Sequence, residues 1–98
     1  MVEQGDIIEL SDVKYPLLVV SKSSYNLGNH ILACPILPSD NGSALCFPFN
    51  TAFVIGFVRC DNLRMFDMKA RRYSAKGRVP LSRLILIIDI IQSLLDYV

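Results

Sequence analysis

Short apolar runs separated by turn residues set the pattern of the first two thirds of the chain, and each run is brief enough to be a strand. Gly5 to Leu10 (GDIIEL) is the first, closed by a polar turn at Ser11-Asp12. Pro16 cannot donate to a strand ladder, so the next strand is expected to begin just after it. Leu17 to Ser21 (LLVVS) is continuous and β-branched, the composition of a strand buried on both sides. Ser23 to Asn29 (SSYNLGN) reads as a loop, with Asn26 and Gly28 as the residues that tolerate positive φ. His30 to Ile36 (HILACPI) is the next strand. Pro38 to Ser43 (PSDNGS) is a turn whose Asn41-Gly42 dipeptide favours a hairpin. Leu45 to Phe49 and Ala52 to Asp61 supply two more strands, and Asn62 to Asp67 continues the second after a bend.

The period then changes from that of a strand to that of a helix. Beyond Gly77 and Pro80, apolar residues fall at Leu84, Ile87, Ile88, Ile91, Leu94, Leu95 and Val98, the i, i+3, i+4 spacing of one helix face. Ile85, Leu86 and Ile90 widen that stripe, which predicts two contact surfaces, one for the strands and one for a partner subunit. The isoleucine-rich LILIIDII also suits a strand, so periodicity alone leaves both forms open. Short strands at close spacing before such a segment suggest a small β-barrel or sandwich.

Composition adds two constraints. A chain of 98 residues makes one small domain, spanning 1–98, with a modest core. It is 52% hydrophobic and only 19% charged, so some apolar surface is expected to be covered by a partner, with a homodimer the leading explanation. The opening MVEQGDIIEL lacks a basic region of the kind a signal peptide needs. Leu84 to Leu95 contains Asp89 and falls short of the roughly 20 residues that span a bilayer. Cys34, Cys46 and Cys60 cannot all pair, form no CxxC, and lie away from the single His30 at ligand spacing. Free buried thiols in a cytoplasmic protein, with no metal and no cofactor, are the expectation. His30 itself reads as a solvated or hydrogen-bonded residue rather than a catalyst.

Charge is uneven. The net value is only +1, yet Arg59, Arg64, Lys69, Arg71, Arg72, Lys76, Arg78 and Arg83 stand between 59 and 83 against Asp61 and Asp67 alone, eight positive charges to two negative. Such a cluster is either a phosphate-binding patch or a solvated loop. Within it, strand geometry places Arg59 and Asp61 on one face and Val58 and Cys60 on the other. That pair reads in two ways, as a site that binds and cleaves a phosphorylated substrate or as a surface ion pair.

Val58-Arg59-Cys60-Asp61-Asn62-Leu63-Arg64 and Phe66-Asp67-Met68-Lys69-Ala70-Arg71 resemble the V-R-C-D-Q-P-R and I-D-M-K-A-R block of the PemK/Kid/MazF toxins, most closely the PemK/Kid branch. Gly5-Asp6-Ile7-Ile8, Pro16 to Val20 and Cys34-Pro35-Ile36 are similar to that family's first strands, and the C-terminal segment to its terminal helix. The resemblance implies a small SH3-like antiparallel barrel with the helix packed on it, like CcdB and MazF. It implies a homodimer, metal-independent cleavage of single-stranded RNA by attack of the 2′-hydroxyl, and a cognate antitoxin. By the same resemblance Asp61 is the catalytic base and Arg59 its proton-donating partner; a guanidinium with a pKa above about 12 is better suited to clamping phosphate.

The first loop is shorter here than in the family. Tyr15 stands at its arginine position, with Lys14 the neighbouring cation, and Leu37 at its threonine position, with Ser39 the nearest hydroxyl. Lys14, Tyr15, Ser39 and Arg64 are accordingly the candidate substrate-binding residues. Tyr15 suits stacking on a base or capping the barrel, and Arg64 suits holding substrate or pinning a turn. These departures favour one rival function, a binding protein of this fold whose catalysis has decayed; the shared fold suggests another, a gyrase poison like CcdB acting through the C-terminal helix.

Overall fold

The computed structural model describes residues 2–39, 46–50, 55–69 and 71–95. In chain order the elements are β1 (Asp6–Leu10), β2 (Leu17–Val19), α1 (Ser23–Asn26), β3 (His30–Leu37), β4 (Cys46–Asn50), β5 (Ile55–Arg59), β6 (Arg64–Asp67), β7 (Tyr73–Arg78) and α2 (Leu81–Ser93). All pairings are antiparallel, in the path β4-β5-β3-β2-β1-β7, with β6 also on β3. The barrel expected from the resemblance is not closed. Among the described residues β4 and β7 are the two ends of the path and do not pair with each other.

Alternation along the strands sorts the apolar residues into two clusters, one on each face. Ile7, Leu18, Cys34, Ile36, Val58 and Cys60 form one with Leu84, Ile87 and Ile91 of α2. Ile8, Leu10, Leu17, Val19, Ile31, Ala33 and Phe66 form the other. β2 has to serve both, which is why LLV is buried at every position. The helical period of the C-terminal segment is borne out, since Leu84, Ile87 and Ile91 point into the first cluster. Ile90 packs against that cluster as well, whereas Ile85 and Leu86 are about half exposed. Leu94 and Leu95 lie past the helix and are exposed, and Val98 lies outside the described residues.

Three local readings change. The stretch after β2 is not all loop: Ser23–Asn26 makes one helical turn, docked by a buried polar network. Ser21 Oγ donates to Asn26 Oδ1 at 2.6 Å and accepts from Leu32 N, while Asn26 Nδ2 donates to the carbonyls of Val2 and Ser21. Asn26 is thus a buried crosslink, and the residue with positive φ is Asn29, at 63°. The third change is β7, a strand where the sequence suggested a solvated segment. It pairs along β1, with an extra residue, Lys76, between the partners of Ile7 and Ile8. Gly77, at φ 132°, supplies the backbone conformation that this bulge requires. The Asn41-Gly42 turn lies outside the described residues.

Cys34 and Cys60 are free and buried, as expected. Burial first, then the neighbouring Cys60 and the charge of Asp61, pushes the Cys34 thiol up to about 12. Since the thiolate is the reactive form, Cys34 should resist iodoacetamide at pH 8 in the native protein and react on unfolding in urea. Peptide mapping after alkylation checks this, and fast native labelling of Cys34 would contradict its burial.

Candidate functional site

The site begins with a mismatch in strand length. β3 pairs with β5 through Ile36 and Val58, and with β6 through Ala33 and Arg64, so residues 59–63 on one side oppose only Cys34 and Pro35 on the other. The three surplus residues bulge out, and the turn closes through Asn62 N donating to Arg59 O at 3.1 Å. Val58 and Cys60 anchor this turn in the core beneath α2, leaving Arg59 and Asp61 directed to the surface.

There the two side chains meet. Arg59 Nε and one terminal nitrogen each donate to a different oxygen of Asp61, both at 2.8 Å. The paired donors match the two oxygens of a carboxylate, the same geometry that suits a phosphate. Both side chains keep access to solvent, at 25% and 30% relative exposure. The Arg59 hydrogen bonds, above all other causes, hold the Asp61 carboxyl below its usual 3.8. The burial that would have made it a better base is missing. Carbon-detected NMR titration should place this carboxyl below the ordinary aspartate range, and Arg59→Gln should raise it; an unchanged midpoint would mean that the pair does not persist in solution.

Alongside the turn runs a groove of about 530 Å³, lined by Asp12, Val13, Lys14, Tyr15, Leu17, Pro35, Leu37, Asn62, Arg64, Phe66 and Arg71. Its size falls in the ordinary range for small-ligand sites, about 300–1,000 Å³. One wall is the segment joining β1 to β2. That wall is pinned by Arg71 on Asp12 at 3.1 Å, by Ser11 N on Arg72 O, and by Ile36 N on Pro16 O. Cations sit over ring faces throughout: Lys14 Nζ lies 5.2 Å from the Tyr15 ring centre, and the guanidinium carbons of Arg64 and Arg71 lie 5.7 and 5.8 Å from that of Phe66.

Of the residues singled out from the sequence, Lys14, Tyr15 and Arg64 come together in this groove. Arg59 and Asp61 stand as a pair in the turn whose next residue, Asn62, lines it. Ser39 is exposed after β3 and is not part of the lining. Asn62, Phe66 and Arg71 were missed as lining residues. Asn62 was legible only as the neighbour of Asp61, and the other two depend on how β6 and the chain after it pass the first loop.

The basic cluster also divides. Arg78 bonds Glu3 at 2.6 Å and Asp6 at 3.3 Å, Lys76 pairs with Glu9 at 3.4 Å, and Arg71 pairs with Asp12. The acids come from β1 and its flanks, because β7 runs beside it. Three of the eight cations are therefore neutralised by residues more than 50 positions away. Among the described residues no three His, Cys, Asp or Glu side chains gather as a metal site would require, and no helix is long and apolar enough to cross a membrane.

The β5–β3 contact that sets the position of Arg59 is tight. A Cβ on Gly56 would lie 2.5 Å from the backbone oxygen of Leu37 and 3.0 Å from an Ile36 methyl. Gly56→Ala should cost about 1–3 kcal/mol in urea unfolding, since a backbone atom cannot swing aside; no loss of stability would show that β5 has room to move.

No protein-family model matches this sequence, and no curated protein does. Solved structures do. A chain of the MazE–MazF complex from Deinococcus radiodurans aligns with a TM-score of 0.87 and 26% identity, over 96% of this chain and 95% of that one. MazF alone from the same organism gives 0.83 and 24%, over 96% of each chain. An endoribonuclease in complex with its cognate antitoxin, from a mycobacterial species, gives 0.81 and 16%, over 97% and 95%. With TM-scores of this size over nearly the whole of both chains, the fold of this chain is that of the MazF toxins.

Proposed function

We propose that this protein is the toxin of a type II toxin–antitoxin pair, a metal-independent endoribonuclease that cuts single-stranded RNA. The observation that carries the reading is the bidentate Arg59–Asp61 pair, exposed beside a cationic, aromatic groove on a MazF fold. Asp61 takes the proton of the 2′-hydroxyl, which attacks the adjacent phosphorus. The 5′-oxygen leaves and takes a proton from solvent water, Asp61 returns its proton to solvent, and the products are a 2′,3′-cyclic phosphate and a 5′-hydroxyl. Arg59 holds the non-bridging oxygens as negative charge builds on them. Lys14 and Arg64 follow flanking phosphates, and Tyr15 offers a face for a base.

The neighbours crystallised with antitoxins support a cognate antitoxin as partner, and the half-exposed Ile85 and Leu86 on α2 support a homodimer. The likeness of residues 58–64 and 66–71 to its block supports the PemK/Kid branch, and a cytoplasmic location goes with messenger RNA as substrate. A second reading has one observation in its favour. Asp61 is held in a closed ion pair that weakens it as a base, as in a protein that binds RNA without cutting it. Incubating the purified protein with single-stranded RNA in EDTA decides between them. Cleavage with cyclic-phosphate ends, suppressed by the antitoxin, supports the nuclease. Bound but intact RNA supports the second reading, and gyrase-dependent DNA breaks would displace both.

A further inference from the structure

The segment between β1 and β2 carries Lys14 and Tyr15, and no hydrogen bond or ion pair joins either of them to another described residue. Each has the other, cation over ring, at 5.2 Å. What fixes the segment lies on either side of them. Pro16 O accepts from Ile36 N at 2.8 Å, and Asp12 is held by Arg71, which stands 59 positions further along the chain.

Arg71 is itself held from two directions. One of its terminal nitrogens lies 3.1 Å from each oxygen of Asp12, and its guanidinium carbon lies 5.8 Å from the centre of the Phe66 ring. Phe66 is 8% exposed and belongs to the cluster of Ile8, Leu17 and Ile31. The Asp12 side chain is 61% exposed, and an ion pair so open to water holds little by itself. The ring adds a second attraction and gives the contact a direction. The core sets the ring, the ring sets the guanidinium, and the guanidinium sets Asp12.

We propose that Arg71 is a positioning residue of the groove: seated on Phe66, it holds Asp12 and with it the segment that presents Lys14 and Tyr15 to RNA. The inference rests on the groove being an RNA site. In this role Arg71 does not bind phosphate, because the Asp12 carboxylate takes its nitrogen and offsets its charge. Without Arg71 the segment spends less time in the arrangement that receives RNA, and apparent affinity falls by that fraction. Arg59 and Asp61 belong to the β5–β6 turn, so RNA that does bind is cut at the same rate.

The sign of one substitution separates positioning from plain electrostatics. Asp12→Ala removes a negative charge from a groove for a polyanion, and charge alone would make binding tighter. Positioning requires the opposite. Asp12→Ala and Arg71→Gln should each weaken binding of 2′-O-methyl RNA, which lacks the attacking hydroxyl and is not cut, by roughly three- to tenfold. The double variant should be no weaker than Arg71→Gln, since both residues act through one contact. Arg71→Lys, which keeps a cation for Asp12, should recover part of the loss. With unmodified RNA the loss should appear in KM and not in kcat. NMR order parameters read the segment without RNA: those of Val13, Lys14 and Tyr15 should fall in Asp12→Ala and Arg71→Gln, while β3 and β5 keep theirs. Tighter binding by Asp12→Ala, additive losses in the double variant, or order parameters that do not move overturn the inference. A wild type that binds no RNA removes the nuclease reading, and the order parameters then decide alone whether Arg71 holds the segment.

Discussion

Asp61→Asn should lower the RNA cleavage rate in EDTA by about a hundred- to ten-thousandfold, the usual contribution of a positioned general base. Asparagine keeps the size of the side chain and an oxygen facing Arg59, so a folding defect is not expected at a site this exposed. What it loses is the ability to take the hydroxyl proton. Affinity should move the other way. With the carboxylate gone, the two Arg59 donors at 2.8 Å lose the Asp61 anion, and a phosphate can take them without displacing that carboxylate. Tighter or unchanged binding of 2′-O-methyl RNA together with the lost cleavage is therefore the signature of the proposed roles. Wild-type cleavage by the variant would remove Asp61 from the mechanism.

In the proposed mechanism the same competition means that the pair needs substrate to work. In the free protein the carboxyl is held low by the arginine it will later need to leave, so it is ionised well into the acid range but only weakly basic. Phosphate arriving at Arg59 satisfies the guanidinium from outside. Asp61 then loses its strongest acidifying contact at the moment a base is wanted.

The second large effect is on stability. Ile87→Ala should cost about 2–5 kcal/mol, a sizeable part of the roughly 5–15 kcal/mol that holds a domain together. Ile87 is fully buried and is packed among Leu84, Ile91 and the sheet residues Ile7, Leu18 and Val58. A helix of 13 residues is marginal on its own, and the N-cap of α2, Pro80, offers no side-chain cap, so its persistence depends on this contact. Gln92→Ala, on the exposed side, should change stability by less than about 0.5 kcal/mol. Urea unfolding followed by circular dichroism compares the two. Equal stabilities would mean that α2 is not seated on the sheet as described.

That face matters to the site as well. Val58 and Cys60 are buried in the cluster that Ile87 closes, and Arg59 and Asp61 alternate with them along the chain. Loosening the helix should therefore reach the Arg59–Asp61 pair through the backbone of β5, and a fall in RNA cleavage by Ile87→Ala under conditions where it stays folded would measure that coupling.

The amino-acid order alone determined those features that depend on neighbours along the chain. Short apolar runs placed β1, β2, β3 and β5 within a few residues, the i, i+3, i+4 spacing suggested α2 while leaving a strand open, and the alternation around Cys60 put Arg59 and Asp61 on a common side. Lys14 and Tyr15 were substrate-binding candidates only through the resemblance to the PemK/Kid/MazF family, and both line the groove. Contacts between distant segments were beyond its reach. β7 looked like a charged loop because its cations are matched only by acids on β1, and α1 looked like a turn because Asn26 finds its partners at Val2 and Ser21 after folding. The basic excess shrank for the same reason, since charge is counted along a sequence but neutralised across space. The open sheet and the place of Asn62, Phe66 and Arg71 in the groove were likewise decided by tertiary structure, because each is set by which strand lies beside which, and a local pattern carries no record of that pairing.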